Sequence, residues 1–479
     1  MVENGATLRR MSSRPSTLGA LRASGWESRP VKEEIRRNAV HKVRAGEPLV
    51  ERVLGYDDTV LPQLENALLA GHDVVFLGER GQAKTRMIRS LTGLLDEWMP
   101  VVAGSEINDD PYAPVSSAAR SLVEELGDDT PIDWVHRDER YSEKLATPDT
   151  SIADLIGEVD PIKVAEGRYL SDELTIHYGL VPRTNRGIFA INELPDLAER
   201  IQVGLLNVLE ERDVQIRGYK LRLPLDVMLF ASANPEDYTN RGRLITPLKD
   251  RFGAQIRTHY PLDVDTEAEI ALQEARSFDI DDVTVSVPDY MVDIVCELSQ
   301  LARESPKINQ RSGVSVRLTV ANLETLAASA VRRGLRAGDS QVSPRISDLD
   351  SLAASTAGKV EIESLDEGRD AQILEHLVKA SVLTVFKDTV DPTLLPDVLD
   401  AFGGQDLSID AGQDVPSSEL AALVGEVPAL TEPVRSLTNG SESPADVAAA
   451  VEFILEGLHL SKRLNKHAVA GRAVYQGRQ

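Results

Sequence analysis

A glycine-rich turn that ends in Lys84 and Thr85 is the segment of the chain with the clearest chemical potential. Residues 78–85 read GERGQAKT and follow the apolar run VVFL at 74–77, which is typical of a buried parallel strand. Apolar residues then recur at helical spacing from Met87 to Leu95. In such a turn, backbone N–H groups surround phosphates, the lysine reaches the outer phosphates and the hydroxyl ligates Mg²⁺. The predicted ligand is therefore a nucleoside triphosphate with its Mg²⁺ ion.

The turn departs from its usual form at one position, because Ala83 stands where a glycine normally precedes the lysine. An alanine fits there only if its φ is negative and its methyl group points away from the nucleotide, so we expect a negative φ at Ala83. The residues predicted to contact the nucleotide are Gly78, Gly81, Gln82, Ala83, Lys84, Thr85 and Arg86.

A second apolar run, GIFAI at 187–191, ends in Asn192 and Glu193. Phosphoryl transfer requires groups that organise the metal and polarise the attacking water. Asn192 stands where an aspartate is expected. Its amide oxygen can accept a hydrogen bond from Mg²⁺-bound water, but the missing charge should weaken metal binding. Glu193 is the predicted catalytic base, and the alternative is an exposed carboxylate that caps a following helix at 194–209.

Three further polar residues lie downstream. Asn234 comes after the run DVMLFA at 226–231, at the carboxyl end of a predicted strand, where open α/β sheets gather ligand groups. It is predicted to sense the γ-phosphate or to orient water, and the alternative is a turn residue before proline. Arg251 lies in a polar break before a strand predicted at 255–259, and Arg317 opens a helical pattern.

Charge and composition exclude several classes of protein. The 479 residues contain 52 Lys and Arg against 77 Asp and Glu, and the net charge of −25 repels phosphate backbones and anionic lipids. Neither a membrane span nor a secretory signal is recognisable, so we expect a soluble, cytoplasmic protein with no membrane partner. The single Cys296 forbids an internal disulfide, and the eight histidines show no metal-ligand spacing.

Composition shifts at both ends of the chain. Residues 1–47 are basic and are predicted to form a loose arm with one helix near 31–43, although the Arg- and Ser-rich stretch 9–24 also suits an organellar transit peptide. Residues 401–445 are rich in Gly, Asp, Ser and Pro, which predicts a linker. From Pro444 onward, apolar residues recur at helical spacing, which predicts a final helix docked by one apolar face.

From about residue 48 to residue 338 the chain resembles AAA+ ATPases of the helix-2-insert group, and within it the magnesium chelatase ATPase subunit and MoxR-type ATPases. The segments that carry the resemblance are LGERGQAKT, VVAGSEINDDPYAP, RTNRGIFAINELPDL, LLNVLEERDVQIRG, FASANPEDY, LKDRFG and SGVSVRLT. The resemblance implies Walker A at 78–85, Walker B at Asn192 and Glu193, sensor 1 at Asn234, an arginine finger at Arg251, and sensor 2 at Arg317 or, as second candidate, Arg311.

The resemblance also implies an α/β fold: an AAA+ P-loop core with a parallel sheet, followed by a helical lid and a mostly helical C-terminal extension. The implied boundaries are 48–260 for the nucleotide-binding domain, 261–343 for the lid and 344–479 for the extension. A helix-2 insert is expected near 152–182, and a hairpin at 215–223.

ATP and Mg²⁺ are the implied cofactors. An arginine that reaches a neighbour's γ-phosphate makes the site competent only at a subunit interface, which implies a homo-oligomeric ring, with a hexamer favoured. Residues 406–410, DLSID, come near the DxSxS adhesion motif of von Willebrand A domains but fail at the last position. The resemblance therefore places a von Willebrand A module on a separate partner protein.

Three functions remain open at the level of the sequence. The first is an ATP-hydrolysing ring motor that, with a von Willebrand A partner, remodels an unidentified client or assists metal insertion. The second is a nucleic-acid-linked translocase or transcription regulator of the same ATPase class, which the net charge of −25 disfavours and the basic arm keeps open. The third is a nucleotide-binding scaffold with little turnover, motivated by Ala83 and Asn192.

Overall fold

The computed structural model describes residues 14–159, 175–210, 213–215, 222–234, 244–280, 282–309, 313–362, 370–403, 407–469 and 472–478. The chain divides into two compact units. The first unit comprises Met1–Gly78 and Ala83–Thr258, and the second comprises Glu79–Gln82 and His259–Gln479. No helix of the described ranges has the length and hydropathy that crossing a membrane requires.

The first unit alternates helices and strands along the chain. Its helices are α1 (Leu18–Ala23), α2 (Val31–Ala45), α3 (Val60–Ala70), α4 (Lys84–Ser90), α5 (Ser117–Leu126), α6 (Ile152–Leu155), α7 (Leu180–Arg183), α8 (Glu199–Glu210) and α9 (Thr246–Arg251). Its strands are β1 (Val74–Leu77), β2 (Trp98–Val102), β3 (Ile132–His136), β4 (Tyr141–Leu145), β5 (Gly157–Val159), β6 (Ile176–Tyr178), β7 (Gly187–Asn192), β8 (Asp213–Gln215), β9 (Arg222–Pro224), β10 (Val227–Ala233) and β11 (Ala254–Arg257).

Five of these strands form a central sheet in the order β11-β1-β10-β7-β4, and every pairing within it is parallel. Strands β1, β7 and β10 are almost entirely buried, as expected for strands covered on both faces. Because successive side chains point to opposite faces, Val75 and Leu77 enter one apolar core, whereas Val74 and Phe76 enter another. The predicted α/β class with a parallel sheet is confirmed.

The helix predicted near 31–43 is confirmed by α2, but the described part of the N-terminal region is not a loose arm. Helix α2 is docked, and it buries the apolar stripe of Val31, Ile35 and Ala39 in the core that also holds Phe76. The nearly buried Glu34 accepts two hydrogen bonds from the buried Arg140 guanidinium, at 2.8 and 2.6 Å. The members of this stripe recur every four residues, but the many basic residues around them make the segment resemble an exposed arm in the sequence. Residues 1–13 lie outside the described residues.

Two short antiparallel strand pairs border segments that lie outside the described residues. Strand β5 pairs with β6, and about half of the insert predicted near 152–182 falls on residues 160–174, which lie outside the described residues. Strand β8 pairs with β9 at the hairpin predicted for 215–223, of which 216–221 also lie outside them. The assignment of the first pair to a helix-2 insert stays a prediction.

The second unit is mostly helical. Its helices are α10 (Val264–Glu274), α11 (Asp289–Glu304), α12 (Arg317–Ala337), α13 (Leu352–Thr356), α14 (Asp370–Thr389), α15 (Leu395–Gly403), α16 (Ser417–Glu426), α17 (Thr431–Leu437) and α18 (Pro444–Leu460). Its strands are β12 (Thr284–Val285), β13 (Gln341–Val342), β14 (Ser408–Ala411), β15 (Leu464–Val469) and β16 (Arg472–Gly477).

The linker predicted at 401–445 is wrong, because the described residues of this stretch are folded. It contains β14, α16 and α17, and its apolar side chains join the core of the second unit, among them Ile409, Val415, Leu420, Leu430 and Val434. Strand β14 pairs antiparallel with β16, which pairs with β15 in a sheet that the sequence analysis missed. The Gly, Asp, Ser and Pro residues separate short elements, so no long periodic run marks them.

Helix α18 is buried on nearly all sides, and the prediction of a single docked face is wrong. Helices α14, α16 and α17 and strand β15 pack around it. Its two internal carboxylates are paired with cations, Glu452 with Arg345 at 3.3 Å and Glu456 with Lys466 at 2.7 Å. An ion pair offsets part of the cost of burying a charged side chain, so a helix in the core can carry these two glutamates.

Candidate functional site

The carboxyl edge of the central sheet is where the phosphate-binding loop begins. Strand β10 lies between β1 and β7, and its register places Ala233 opposite Leu77. The N–H of Gly78 donates to the carbonyl of Ala233 at 3.1 Å, which seats the start of the loop against the end of β10. Open parallel sheets bind ligands at this edge. The ends of β1, β7 and β10, each followed by a predicted functional residue, therefore meet.

Lys84 is the first residue of α4 and is buried. Its Nζ donates a hydrogen bond to the carbonyl of Gly78 at the opposite end of the loop. This bond fixes the ammonium group at the residue where the loop begins, and its contact with a phosphate stays a prediction.

Ala83 has φ of 53° and ψ of 12°, so the expectation of a negative φ is wrong. Closure of the loop onto α4 imposes this left-handed conformation, which spacing along the sequence does not report. An L-residue adopts it at a cost of about 1–2 kcal/mol that a glycine avoids. Ala83 is therefore a strained position within the loop.

Replacement of Ala83 by glycine is expected to relieve this strain. The free energy of unfolding should rise by up to about 1 kcal/mol, because the greater entropy of glycine in the unfolded chain offsets part of the relief. Denaturant titration measures the change, and Ala422→Gly, at an exposed position inside α16, is the matched control, with an expected loss of about 0.5–1 kcal/mol. Equal losses for the two variants would contradict the strain at Ala83.

Thr85, Asn192 and Ser232 form one hydrogen-bonded group. The Oδ1 atom of Asn192 accepts from the hydroxyl of Thr85 at 3.2 Å and from the hydroxyl of Ser232 at 3.2 Å. The Oγ atom of Ser232 accepts in turn from the N–H of Glu193 at 3.3 Å. The sequence did not single out Ser232. Its location two residues before Asn234, near the carboxyl end of a predicted strand, could have indicated it. The predicted metal-organising residues are thus in direct contact.

The oxygens of Thr85 and Asn192 fit a Mg²⁺ ion that arrives with a nucleotide. Both are hard oxygen donors, and Mg²⁺ commonly takes one or two protein ligands together with phosphates and waters. Within the described ranges, no cluster of three or more His, Cys, Asp or Glu side chains is placed to hold a metal alone. Because Thr85 and Asn192 supply only two of the six oxygens that Mg²⁺ takes, we expect metal binding to depend on the nucleotide.

Asn192→Asp is expected to lower the Mg²⁺ concentration required for half-maximal ATPase activity. The restored carboxylate adds charge attraction beside the ion, so the effect should appear in a Mg²⁺ titration before it appears in the maximal rate. The exposed turn residue Asn439 supplies a control, Asn439→Asp, for a general effect of added charge. If wild type saturates at the same Mg²⁺ concentration as Asn192→Asp, the amide does not weaken metal binding.

Glu193 directly follows β7 and has a left-handed backbone, with φ of 54° and ψ of 47°. Non-glycine residues in this region are uncommon and cluster at functional sites. Helix α8 begins only at Glu199, and the Glu193 side chain makes no capping bond to the short turn at 194–196. The alternative of a helix-capping carboxylate is therefore wrong, and the role of catalytic base stays a prediction.

Asn234 and Arg251 lie in the first unit. Asn234 directly follows β10 and is 3% exposed, at the edge where β1 and β7 also end. Arg251 is the last residue of α9, and its Nη1 donates to the carbonyl of Pro247 at 3.3 Å. Residues 235–243 lie outside the described residues. The roles of sensor 1 and arginine finger stay predictions.

Residues 79–82 of the loop pack within the second unit. The hydroxyl of Tyr260 donates to the carbonyl of Arg80 at 3.0 Å. Gly81 has φ of 77°, and a Cβ there would lie 1.9 Å from the Oγ of Ser315, so only glycine fits. Tyr260 and Ser315 were missed by the sequence analysis, because a lone Tyr or Ser in a loop carries no signal of its own.

The remaining predicted residues have contacts of their own. Arg317 is the exposed first residue of α12, and its N–H donates to the Oγ of Ser315 at 3.1 Å. The guanidinium of Arg86 donates to the carbonyl of Arg52 at 3.2 Å. Arg311 lies outside the described residues. Contacts from these arginines to a nucleotide stay predictions.

Similarity to known proteins was found among solved structures. No protein-family model matches the chain, and no curated protein does. The complex between subunits BchI and BchD of magnesium chelatase matches with 21% identity over 65% of this chain and 95% of that chain, at a TM-score of 0.34. A candidate ATPase from Cytophaga hutchinsonii matches with 16% identity over 75% of this chain and 98% of that chain, at a TM-score of 0.30.

A third similar structure is NtrX from Brucella abortus in complex with ADP. It matches with 15% identity over 88% of this chain and 74% of that chain, at a TM-score of 0.37. Subunits of magnesium chelatase and an ATPase, the kinds of protein that the sequence motifs resemble, are thus present among the similar solved structures. All of these matches have identities below 25% and TM-scores below 0.5, so the site is interpreted from its own geometry.

Proposed function

We propose that the chain is an ATP-hydrolysing ring motor of the AAA+ class, similar to the magnesium chelatase ATPase subunit and MoxR-type ATPases. The observation that carries the proposal is the contact of Thr85 with Asn192 at 3.2 Å. It joins the phosphate-binding loop to the end of β7, directly beside Glu193. This arrangement would place a metal-bound phosphate beside an acid at one edge of the sheet, as hydrolysis of a nucleoside triphosphate requires.

In the proposed mechanism each residue has a separate task. The loop N–H groups and Lys84 bind the phosphates, and Mg²⁺, when bound, neutralises charge that develops on them. Thr85 and Asn192 hold the metal side of the site, and Ser232 orients the amide of Asn192. Glu193 accepts a proton from the attacking water, and Asn234 orients that water or senses the γ-phosphate.

The assembly forms the second part of the proposal. Arg251 is separated in sequence from the phosphate-binding residues, which supports action on the nucleotide of a neighbouring subunit in a ring, with a hexamer favoured. A separate von Willebrand A protein is the proposed partner, and the work is remodelling of a client or assistance to metal insertion. The lone Cys296, buried and unable to form an internal disulfide, suits the proposed cytoplasmic location.

Two assays separate this proposal from the alternatives. Phosphate release by the purified protein, measured with and without double-stranded DNA, should show turnover that DNA leaves unchanged. Stimulation by DNA would support the nucleic-acid-linked motor, which the net charge of −25 disfavours. Nucleotide binding without phosphate release would support the scaffold. Co-purification of a von Willebrand A protein from native lysate tests the proposed partner.

A further inference from the structure

An open pocket of about 420 Å³ lies in the second unit, between the end of α14 and the turn that follows α18. Its floor is apolar and consists of Leu383, Phe386, Val390, Leu395 and Leu460. Phe386, Val390 and Leu395 are buried, whereas Leu383 and Leu460 are half-buried. The pocket therefore presents an apolar surface that is open to solvent on one side.

Three cations line the mouth of this pocket, and no carboxylate lines it. Lys387 extends from α14, and Lys462 and Arg463 extend from the turn after α18. All three side chains are exposed, and none forms an ion pair with any residue of the described ranges. We name this surface, formed by the apolar floor and the three cations, the basic pocket.

Neither of the acidic residues nearest to Lys387 in sequence, Asp388 and Asp391, lines the pocket. The carboxylate of Asp391 accepts from the N–H and the hydroxyl of Thr393, at 2.8 and 2.7 Å. Asp388 lies close to Glu297 of α11, where burial first and this second carboxylate next raise the pKa of Glu297. Since no carboxylate of the described residues lines the pocket or pairs with its three cations, an external anion can bind them.

The turn that carries two of the cations is fixed by its backbone. The N–H of Lys462 donates to the carbonyl of His459 at 2.8 Å, and the N–H of Arg463 donates to the carbonyl of Leu458 at 2.8 Å. Lys462 is left-handed, with φ of 61°, and its carbonyl accepts from the guanidinium of Arg478. A defined turn therefore positions the charges of Lys462 and Arg463. This local positive charge contrasts with the net charge of −25, which repels anions at long range.

We propose that the basic pocket docks a short acidic segment of a partner protein, which inserts apolar side chains onto the floor. Three cations on two separate elements match several carboxylates better than they match one anionic head group. The open side supports a peptide as well, because sites for small molecules bury most of the ligand surface. The pocket contains none of the proposed nucleotide-binding residues, so this inference goes beyond the ATPase and stands or falls separately from it.

Fluorescence anisotropy with the full-length protein tests the proposal. The probe is a labelled octapeptide, Asp-Glu-Glu-Leu-Phe-Glu-Asp-Asp, and saturable binding that weakens at high salt is expected. The double variant Lys462→Glu, Arg463→Glu should weaken binding at least about tenfold, because it replaces attraction by repulsion at two points. Lys379→Glu is the matched control, since Lys379 is also an exposed cation of α14 but pairs with Glu375 at 2.6 Å outside the pocket.

Peptide variants separate charge from apolar insertion. Two peptide variants are compared, one with serine in place of Leu-Phe and one with lysine in place of the acids. Each should bind at least about tenfold more weakly, because the proposal requires both apolar side chains and negative charge. Equal binding of the serine peptide, or unchanged binding to the double variant, would overturn the proposal. Lys387→Glu, on the other element, replaces the double variant if the latter melts at a lower temperature.

Two outcomes would assign the pocket to a different occupant and so overturn the proposal. Saturable binding of decanoate, lost in the double variant, without binding of the peptide, would identify a small amphipathic anion. A change of self-association in the double variant, without binding of the peptide, would identify a second copy of this chain. Both are read by calorimetry and sedimentation on the same protein preparations.

Discussion

Replacement of Glu193 by glutamine is expected to leave ATP binding intact and to slow hydrolysis at least roughly 100-fold. Loss of one positioned general base typically costs about 10²- to 10⁴-fold in rate. The amide keeps the size of the side chain and removes the proton acceptor, so the variant should trap the nucleotide-bound ring. Steady-state phosphate release and binding of a fluorescent ATP analogue measure the two effects separately.

The matched control for this variant is Glu124→Gln. Glu124 is an exposed carboxylate of α5 and is not among the proposed nucleotide-binding residues, so turnover should stay within about twofold of wild type. Unchanged turnover in Glu193→Gln would remove Glu193 from the role of base. Loss of nucleotide binding together with turnover would instead point to a structural role at the end of β7.

Arg251→Ala is expected to retain ATP binding and to lose most turnover. An arginine finger contributes about 10³- to 10⁵-fold in related phosphoryl transfer, and it acts on the transition state rather than on ground-state binding. Lys84→Ala, by contrast, should lose nucleotide binding itself, because its ammonium lies inside the loop of its own subunit. Arg435→Ala, a change of an exposed arginine on α17, controls for loss of a surface cation.

Mixing the two inactive proteins tests whether Arg251 acts between subunits. Some interfaces of a mixed ring place a native Arg251 opposite a native Lys84, so partial turnover should return. Differently tagged subunits establish that mixed rings form. If mixed rings are present and turnover is still absent, Arg251 acts within its own subunit or has only a structural role.

The parallel sheet and the loop were predictable because their signals are local. The apolar runs before residues 78, 192 and 234 are short, bounded and buried on both faces, which is the pattern of parallel strands. The chemistry-bearing residues follow directly at the strand ends. Topology alone then places them at one edge, and the contact between Thr85 and Asn192 follows from that placement.

Other features escaped prediction because they depend on contacts between distant segments. The left-handed φ of Ala83 is imposed by loop closure, whereas spacing along the chain reports only which residues are present. A helix near 31–43 was predicted and is present as α2, but its docking was not, because charge outweighs its narrow apolar stripe. Helix α18 carries Glu452 and Glu456, whose burial depends on Arg345 and Lys466 elsewhere in the second unit.

Mg²⁺-dependent phosphate release by the purified wild-type chain, compared with Lys84→Ala, is the measurement that tests the central claim most directly. The claim is that the loop after β1 and the residues after β7 form one ATP-hydrolysing site. The proposed mechanism predicts turnover that requires Mg²⁺ in the wild type and neither nucleotide binding nor turnover in Lys84→Ala. A wild-type protein that binds ATP with Mg²⁺ but releases no phosphate, or a Lys84→Ala variant that turns over ATP at the wild-type rate, would contradict it.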